Sequence, residues 1–351
     1  MKKTKKALAG ILAATMAITA ASIGTGATVQ AAEESKKIAV IRNMASSDHT
    51  AQFFKGCTEE GEALGYQVDT FMSDGDDVKM QNLMEQALQQ DYDIWIVSHA
   101  NEGYQYDLVS QAVEKGIAVV GFDCGGEQVE GVTYTTQSDE DLTKISLDAL
   151  IEKAEENGKT QPIKILEVNT LGALVPFDTR HSIVEQYQEE GKIEVLQLIS
   201  PSLAGDFYSE VNTGISAALI NYGEVDGIWT ASTTFLDGIL DALKASGKTD
   251  IVCTGIDISD TEVARLAEEE QYYCCAAVDP YIIGVVDVRL GVLKTLGVET
   301  PATEQFAAVG VYNTDVEEGD TMESLSGKLE GFGSTDLYDT EEIQQLREEN
   351  K

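Results

Sequence analysis

The chain has 351 residues, 43% of them hydrophobic, enough for two domains with buried cores. Acidic residues outnumber basic ones 61 to 24, and a net charge of −37 excludes nucleic acid and anionic lipid as partners. The five cysteines, Cys57, Cys124, Cys253, Cys274 and Cys275, cannot all pair internally and match no zinc spacing, so they read as small packing residues.

Lysines 2, 3, 5 and 6 precede an uncharged stretch that ends in Val29-Gln30-Ala31-Ala32. A basic start, an apolar middle and small residues at the end mark a secretory signal peptide over residues 1–31. Thr19, Ser22, Gly24, Thr25 and Gly26 interrupt its second half, against a permanent anchor, and no cysteine follows for lipid attachment. Removing it takes away four lysines and no acid, lowering the charge from −37 to −41.

The mature chain opens on KIAVI, a buried strand at Lys37–Ile41, then a polar loop and a helix that runs to Leu64 and stops at Gly65. Tyr66–Met72 reads as a strand and Asp77–Gln90 as a helix with an apolar face of Val78, Met80, Leu83, Met84, Ala87 and Leu88. Asp74-Gly75-Asp76-Asp77 lacks EF-hand spacing and reads as a turn and helix cap. Ile94–Val97 is a strand and Tyr104–Lys115 a helix; the apolar run Ile117–Val120 then leads into Gly121-Phe122-Asp123-Cys124-Gly125-Gly126, with a short strand at Val132–Thr135 behind it. Alternating strands and helices, the strands apolar without polar alternation, predict a doubly wound parallel sheet. Asp123 stands at the carboxyl end of its strand, where such sheets bind ligands, and a carboxylate there can accept from two hydroxyls.

A helix over Asp139–Glu156 follows, and the pattern restarts. KIAVIRN at 37 is answered by IKILEVN at 163, DIWIVSHA at 93 by DGIWTAST at 226, and GIAVVGFDCGG at 116 by TDIVCTGIDIS at 249, at offsets of 126, 133 and 133 residues. Three strands in one order at nearly one offset predict two similar α/β lobes, with Asp257 holding in the second the place of Asp123 in the first. Asp279-Pro280 starts a helix to Leu296, Phe306–Tyr312 reads as one further strand, and Thr340–Glu349 as a short surface helix.

In KIAVI, the FFKGCTEEGEALGY helix end, GFD at 121–123, GDFYSEV at 205–211, LDGILDAL at 236–243 and CTGID at 253–257, the chain resembles the type I periplasmic binding proteins of ABC transporters, most closely the ribose-binding branch. The resemblance spans Lys37 to Asn313. It implies an α/β fold of two similar doubly wound lobes joined by a three-crossing hinge near Gln137, Asp279 and Gly310. The lobes then comprise 36–137 plus 279–309 and 138–278 plus 310–325, with 326–351 as an acidic tail. It implies a monomer that carries a monosaccharide or polyol to a membrane-embedded permease, outside the cytoplasm, with no catalysis, cofactor or metal.

Carried over residue by residue, the resemblance makes Asp123 and Asp257 the hydroxyl acceptors of the two lobes, Arg180 the pocket arginine, Phe207 the wall against a sugar ring, and Ser232 a stand-in for the family's asparagine. Ser47 falls at an early polar contact. His49 and Thr50 stand where the family has two aromatics, Cys124 where the ribose branch has arginine, and Val278 replaces a polar residue near the third hinge. These departures argue against ribose as the best ligand. Acidic acceptors, a guanidinium and an aromatic face suit the hydroxyl rim and C–H faces of a sugar.

Other readings stand beside this one. His49, His99 and His181, all expected in loops after strands, could in principle bind a metal, but they lack short ligand spacing. Asp123 and Asp257 could form a glycosidase pair. A sugar sensor feeding a membrane receptor would use the same cleft. A transcription regulator of this fold would need a helix-turn-helix where this chain has its signal peptide.

Overall fold

The computed structural model describes residues 36–351 apart from 204, so the expected signal peptide lies outside the described residues. The apolar runs form two six-stranded sheets. The first contains β1 (Lys37–Arg42), β2 (Gln67–Met72), β3 (Ile94–Ser98), β4 (Ala118–Phe122), β5 (Thr133–Gln137) and β11 (Thr303–Phe306), in the order β2-β1-β3-β4-β5-β11. The second contains β6 (Ile163–Val168), β7 (Ile193–Ile199), β8 (Gly227–Thr230), β9 (Val252–Ile256), β10 (Tyr272–Ala277) and β12 (Val309–Tyr312), in the order β7-β6-β8-β9-β10-β12. Each is a doubly wound order with a sixth strand lent by the last part of the chain, β11 parallel to β5 and β12 antiparallel to β10.

The helices of the first lobe are α1 (Asp48–Ala63), α2 (Asp77–Ala87), α3 (Glu102–Glu114) and α9 (Pro280–Thr295). Those of the second are α4 (Asp139–Glu156), α5 (Val175–Glu189), α6 (Phe207–Asn221), α7 (Leu236–Ser246) and α8 (Asp260–Glu268). Asp76 caps α2 by accepting from the backbone N–H of Lys79, while Val78, expected on the apolar face, is 71% exposed. One face of the first sheet is covered by α1 and α9 over Phe53, Val120 and Phe122, the other by α2 and α3 over Met84, Trp95 and Leu108. The second lobe is built around Trp229, Phe235 and Ile239. All five cysteines are unpaired, and four are fully buried.

Three departures from the sequence reading concern the end of the chain. Phe306–Tyr312 is two strands on different sheets, with Ala307 and Ala308 between them, so the third passage between lobes falls there and Gly310 lies inside β12. Residues after 325, expected as an acidic tail, pack on both lobes. Met322 and Leu325 on the short helix α10 (Met322–Leu325), with Phe332 after it, enter the second-lobe core. The chain then returns to the first lobe: Gly333 N–H donates to Asp279 Oδ2 at 2.8 Å, and Arg289 Nη1 donates to the carbonyls of Thr335 and Leu337. Helix α11 (Glu341–Glu349) docks through Ile343, fully buried in the α1/α9 core. Its Arg347 meets Glu60 at 2.7 Å and Asp339 at 2.9 Å, and Arg289 meets the same Glu60 oxygen at 2.8 Å. The surface helix anticipated from Thr340 is therefore an anchored element, and the chain passes between lobes four times.

Candidate functional site

Beyond β1, β3, β4 and β5 of one lobe and β6, β8 and β9 of the other, the strand ends face each other across a cleft. The lobes contact each other where the Thr261 hydroxyl donates to Asp48 Oδ2 at 3.0 Å and where Lys55, over the Tyr281 ring near the Asp279 passage, lies 3.7 Å from Glu323. The two lobes thus touch through side chains of α1 and α8.

Asp123 and Asp257 follow β4 and β9 directly, both in the left-handed backbone region at φ 46° and 80°, and His99 after β3 shares it at 59°. Such backbone is uncommon outside glycine, costs about 1–3 kcal/mol per residue, and concentrates at functional sites. It turns each carboxylate inward. Asp123, its side chain 10% exposed, accepts from the Thr136 hydroxyl at 2.7 Å and from Gln137 Nε2 at 3.4 Å. Burial, reinforced by Asp139 and opposed by those hydrogen bonds, pushes its carboxyl up to about 6. Asp257 accepts from Ser232 at 3.1 Å, and Arg180 Nη1 lies 3.8 Å away.

Arg180 is on helix α5, not in a loop, and only 3% exposed. Its Nε donates to Asp139 at 2.8 Å and its Nη1 to the Ala231 carbonyl at 2.5 Å, while its neighbour Asp178 instead accepts from Gly172 N–H. Burial alone would lower its pKa, but Asp257 and Asp139 outweigh that and raise it. The guanidinium is a fixed cation.

The remaining expected residues divide. His49 lies in the first turn of α1, with Nδ1 3.1 Å from Arg42. Burial, with Arg42 next, pushes it down to about 4, so it is neutral at pH 7. Ser47 caps α1 by accepting from Thr50 N–H, and the Thr50 hydroxyl donates to the Ala45 carbonyl. Ser232 caps a single 3-10 turn and faces Asp257. Cys124 is turned away from the cleft: its thiol donates to the Val97 carbonyl, among the residues packed under α3. Phe207 opens α6, half-buried and edge-on to Phe235 at 6.1 Å. Neither makes a contact with the Asp123 or Asp257 carboxylates. His181 belongs to α5 and binds Glu167, so of the three histidines only His99 is in a loop. Among the described residues no three His, Cys, Asp or Glu groups converge on a metal position.

Comparison with known proteins fits this geometry. The periplasmic binding protein domain family matches residues 38–293. The chain belongs to the periplasmic binding proteins. A sugar ABC transporter structure from Yersinia enterocolitica subsp. enterocolitica 8081 is 33% identical, covering 90% of this chain and 96% of its own, with a TM-score of 0.79. A 5-methylthioribose transporter solute-binding protein from Thermotoga lettingae, at 19% identity, covers 89% of this chain and 98% of its own with a TM-score of 0.78, and shows the same fold. A D-apiose import binding protein from Actinobacillus succinogenes is 23% identical over 60% of this chain and 68% of its own length. The group to which the chain belongs is that of the solute-binding proteins of sugar ABC transporters, which are exported transport proteins and not enzymes. No described helix is long and apolar enough to cross a membrane.

Three residues near Asp123 were not among the expected sugar contacts, although His99 was weighed as a metal ligand. Arg42, the last residue of β1, is fully buried, with its guanidinium 4.5 Å from the Phe53 ring centroid. Burial lowers it to about 10, so it keeps its charge at pH 7. His99 stands between Ser98 and Asp123, its Nδ1 2.7 Å from Ser98 Oγ and its Nε2 3.9 Å from Asp123. Asp287 on α9 is fully buried and accepts from Thr135 at 2.8 Å. A charge closing an otherwise apolar strand, as in KIAVIR, is the signal that could have revealed Arg42; Asp287 lies mid-helix and carries none.

Proposed function

We propose that this protein captures a monosaccharide or small polyol between its lobes and delivers it to an ABC permease, working as a monomer on the outer side of the membrane after removal of residues 1–31. What supports this reading is the pair of carboxylates, Asp123 and Asp257, that directly follow matched strands of the two lobes in left-handed backbone, with Arg180 beside the second. Asp123, Asp257, Ser232, Arg180 and His49 supply the polar shell, with Phe207 as the apolar wall. A hydrogen bond to a charged group contributes about 1.5–3 kcal/mol, so a few of them with ring packing, less the cost of ordering, reach an affinity of about −8 kcal/mol, the micromolar range. Relatives named for D-apiose, D-arabinose, D-allose and allitol support a ligand of five or six carbons.

The test is a thermal-shift screen of the mature chain against apiose, ribose, arabinose, allose, glucose and allitol, followed by calorimetry of any that bind. A bound ligand raises stability by RT ln(1 + [L]/Kd). One or more sugars should raise the melting temperature, with ribose not the tightest. No shift with any sugar or polyol would overturn the reading.

A further inference from the structure

We infer that Arg42 is a positioning residue that fixes His49 and His99 as two N–H donors, each through Nε2, on the first-lobe wall of the cleft. The ligand that follows presents acceptor oxygens to that wall as well as hydroxyl protons to Asp123 and Asp257. The ligand part rests on the sugar-binding reading above; the role of Arg42 does not.

A guanidinium has five N–H groups and no acceptor. Arg42 Nη2, 3.1 Å from His49 Nδ1, therefore donates to it, so Nδ1 holds a lone pair and the ring proton sits on Nε2. Arg42 Nη1 donates to Ser98 Oγ at 2.9 Å. That hydroxyl is fully buried, and its other partner is His99 Nδ1 at 2.7 Å. Were Ser98 to accept from both, its own proton would be buried without a partner, at about 1–3 kcal/mol. Ser98 thus donates to His99 Nδ1, and His99 also carries its proton on Nε2, the nitrogen 3.9 Å from Asp123 Oδ2. One arginine sets both tautomers, directly on one side and through a hydroxyl on the other.

The arginine is itself held in place. Its Nε reaches the Thr50 hydroxyl at 3.4 Å and its plane lies over Phe53. Among the described residues no carboxylate comes within ion-pair distance of it. Burial, and after it the Arg42 charge, disfavours a proton on the second nitrogen of either imidazole despite Asp123 beside His99, so both rings are neutral and serve as donors. Lysine could not replace the fork that reaches Thr50, Ser98 and His49 together. His49 Nδ1 is engaged on the Arg42 side, and the second-lobe charges Asp257 and Arg180 act on the same ring from across the cleft. His181 gives a built-in contrast: its Nδ1 lies 2.9 Å from Glu167, and a carboxylate partner requires the proton on Nδ1.

The test uses the full mature chain with its three histidines labelled with nitrogen-15. Long-range proton–nitrogen correlation at neutral pH reads which ring nitrogen of each is protonated. We expect Nε2–H for His49 and His99 and Nδ1–H for His181. An Nδ1–H tautomer or a charged ring at His49 or His99 overturns the inference, and this arm needs no variant. Ser98→Ala should collapse the separation between the two ring-nitrogen signals of His99 and leave His49 unchanged; Arg42→Met should collapse both. An unaltered His99 in Ser98→Ala overturns the route through Ser98. With a sugar from the panel bound, the Nε2 signals of His49 and His99 should shift, and binding without such a shift overturns the donor role. If no sugar binds, the proposed function fails while the tautomers still decide the role of Arg42.

Discussion

Asp123 and Asp257 owe their aim to backbone as much as to side chain. Asparagine tolerates the left-handed region at least as well as aspartate and keeps one acceptor oxygen, so Asp123→Asn and Asp257→Asn should fold normally. Each should weaken sugar binding tenfold or more, because a charge-assisted bond becomes a neutral one; calorimetry against the best sugar of the panel measures this, and parental affinity in either variant would remove that residue from the site. Asp287 makes a different prediction. Burial pushes its carboxyl up to about 8, with Asp123 adding to the rise and Thr135 and Arg42 opposing it. In the unfolded chain the group titrates at about 4, so between these values the native state holds an extra proton, and the stability it confers, full below 4, is lost progressively as pH rises to 8. His49, pushed down to about 4, acts in the opposite sense but only below about 6.5. The melting temperature of the ligand-free protein should therefore fall from pH 6.5 to 8, and Asp287→Asn should flatten that fall. A flat parental profile over this window would contradict the buried-acid account.

At the scale of elements, α1 and α9 approach closely enough that glycine is required on both. A Cβ at Gly284 would lie 2.4 Å from the Phe53 carbonyl oxygen, and one at Gly56 2.1 Å from that of Tyr281. Neither neighbour is a side chain that can swing away. Gly284→Ala should cost about 1–3 kcal/mol, read as a lower midpoint in urea with an unchanged slope. The strands and most helices were legible in the sequence because apolar runs and helix caps are local signals: Asp279 starts α9 as expected, and the Asp74–Asp77 turn caps α2 through Asp76. The matched positions of Asp123 and Asp257 were legible through the internal repeat. What remained hidden depends on distant parts of the chain. A two-residue passage through Ala307-Ala308 looks like strand interior, and a single Ile343 among glutamates and glutamines looks like surface until Glu60 and Arg289 are placed beneath it. His49 and His181 read as loop residues because their helices start earlier than the apolar periodicity does.

For the whole molecule, opening means rotating two lobes that share four passages rather than three. The fourth is pinned at Phe332 in one core and at Ile343 and Arg347 on the other, with Asp279 holding Gly333 beside the helix it caps. Removing residues 334–351 deletes this restraint. The truncated chain should stay folded but show a larger radius of gyration than the parent without ligand, and sugar should restore compactness in both; identical scattering without ligand would mean the strap does not limit opening. The same strap sets where the described chain starts and stops. Lys36 lies over the Tyr66 ring and Asn350 beside Gly65, so both ends sit at one corner of the first lobe. The second lobe is in effect two excursions out of the first, a long one over 138–278 and a short one over 309–332. A pair of fluorescent reporters joined at these two ends would travel together and stay blind to sugar, whereas one moved to Lys248, on the far lobe, would turn the same molecule into an optical gauge of its own cleft.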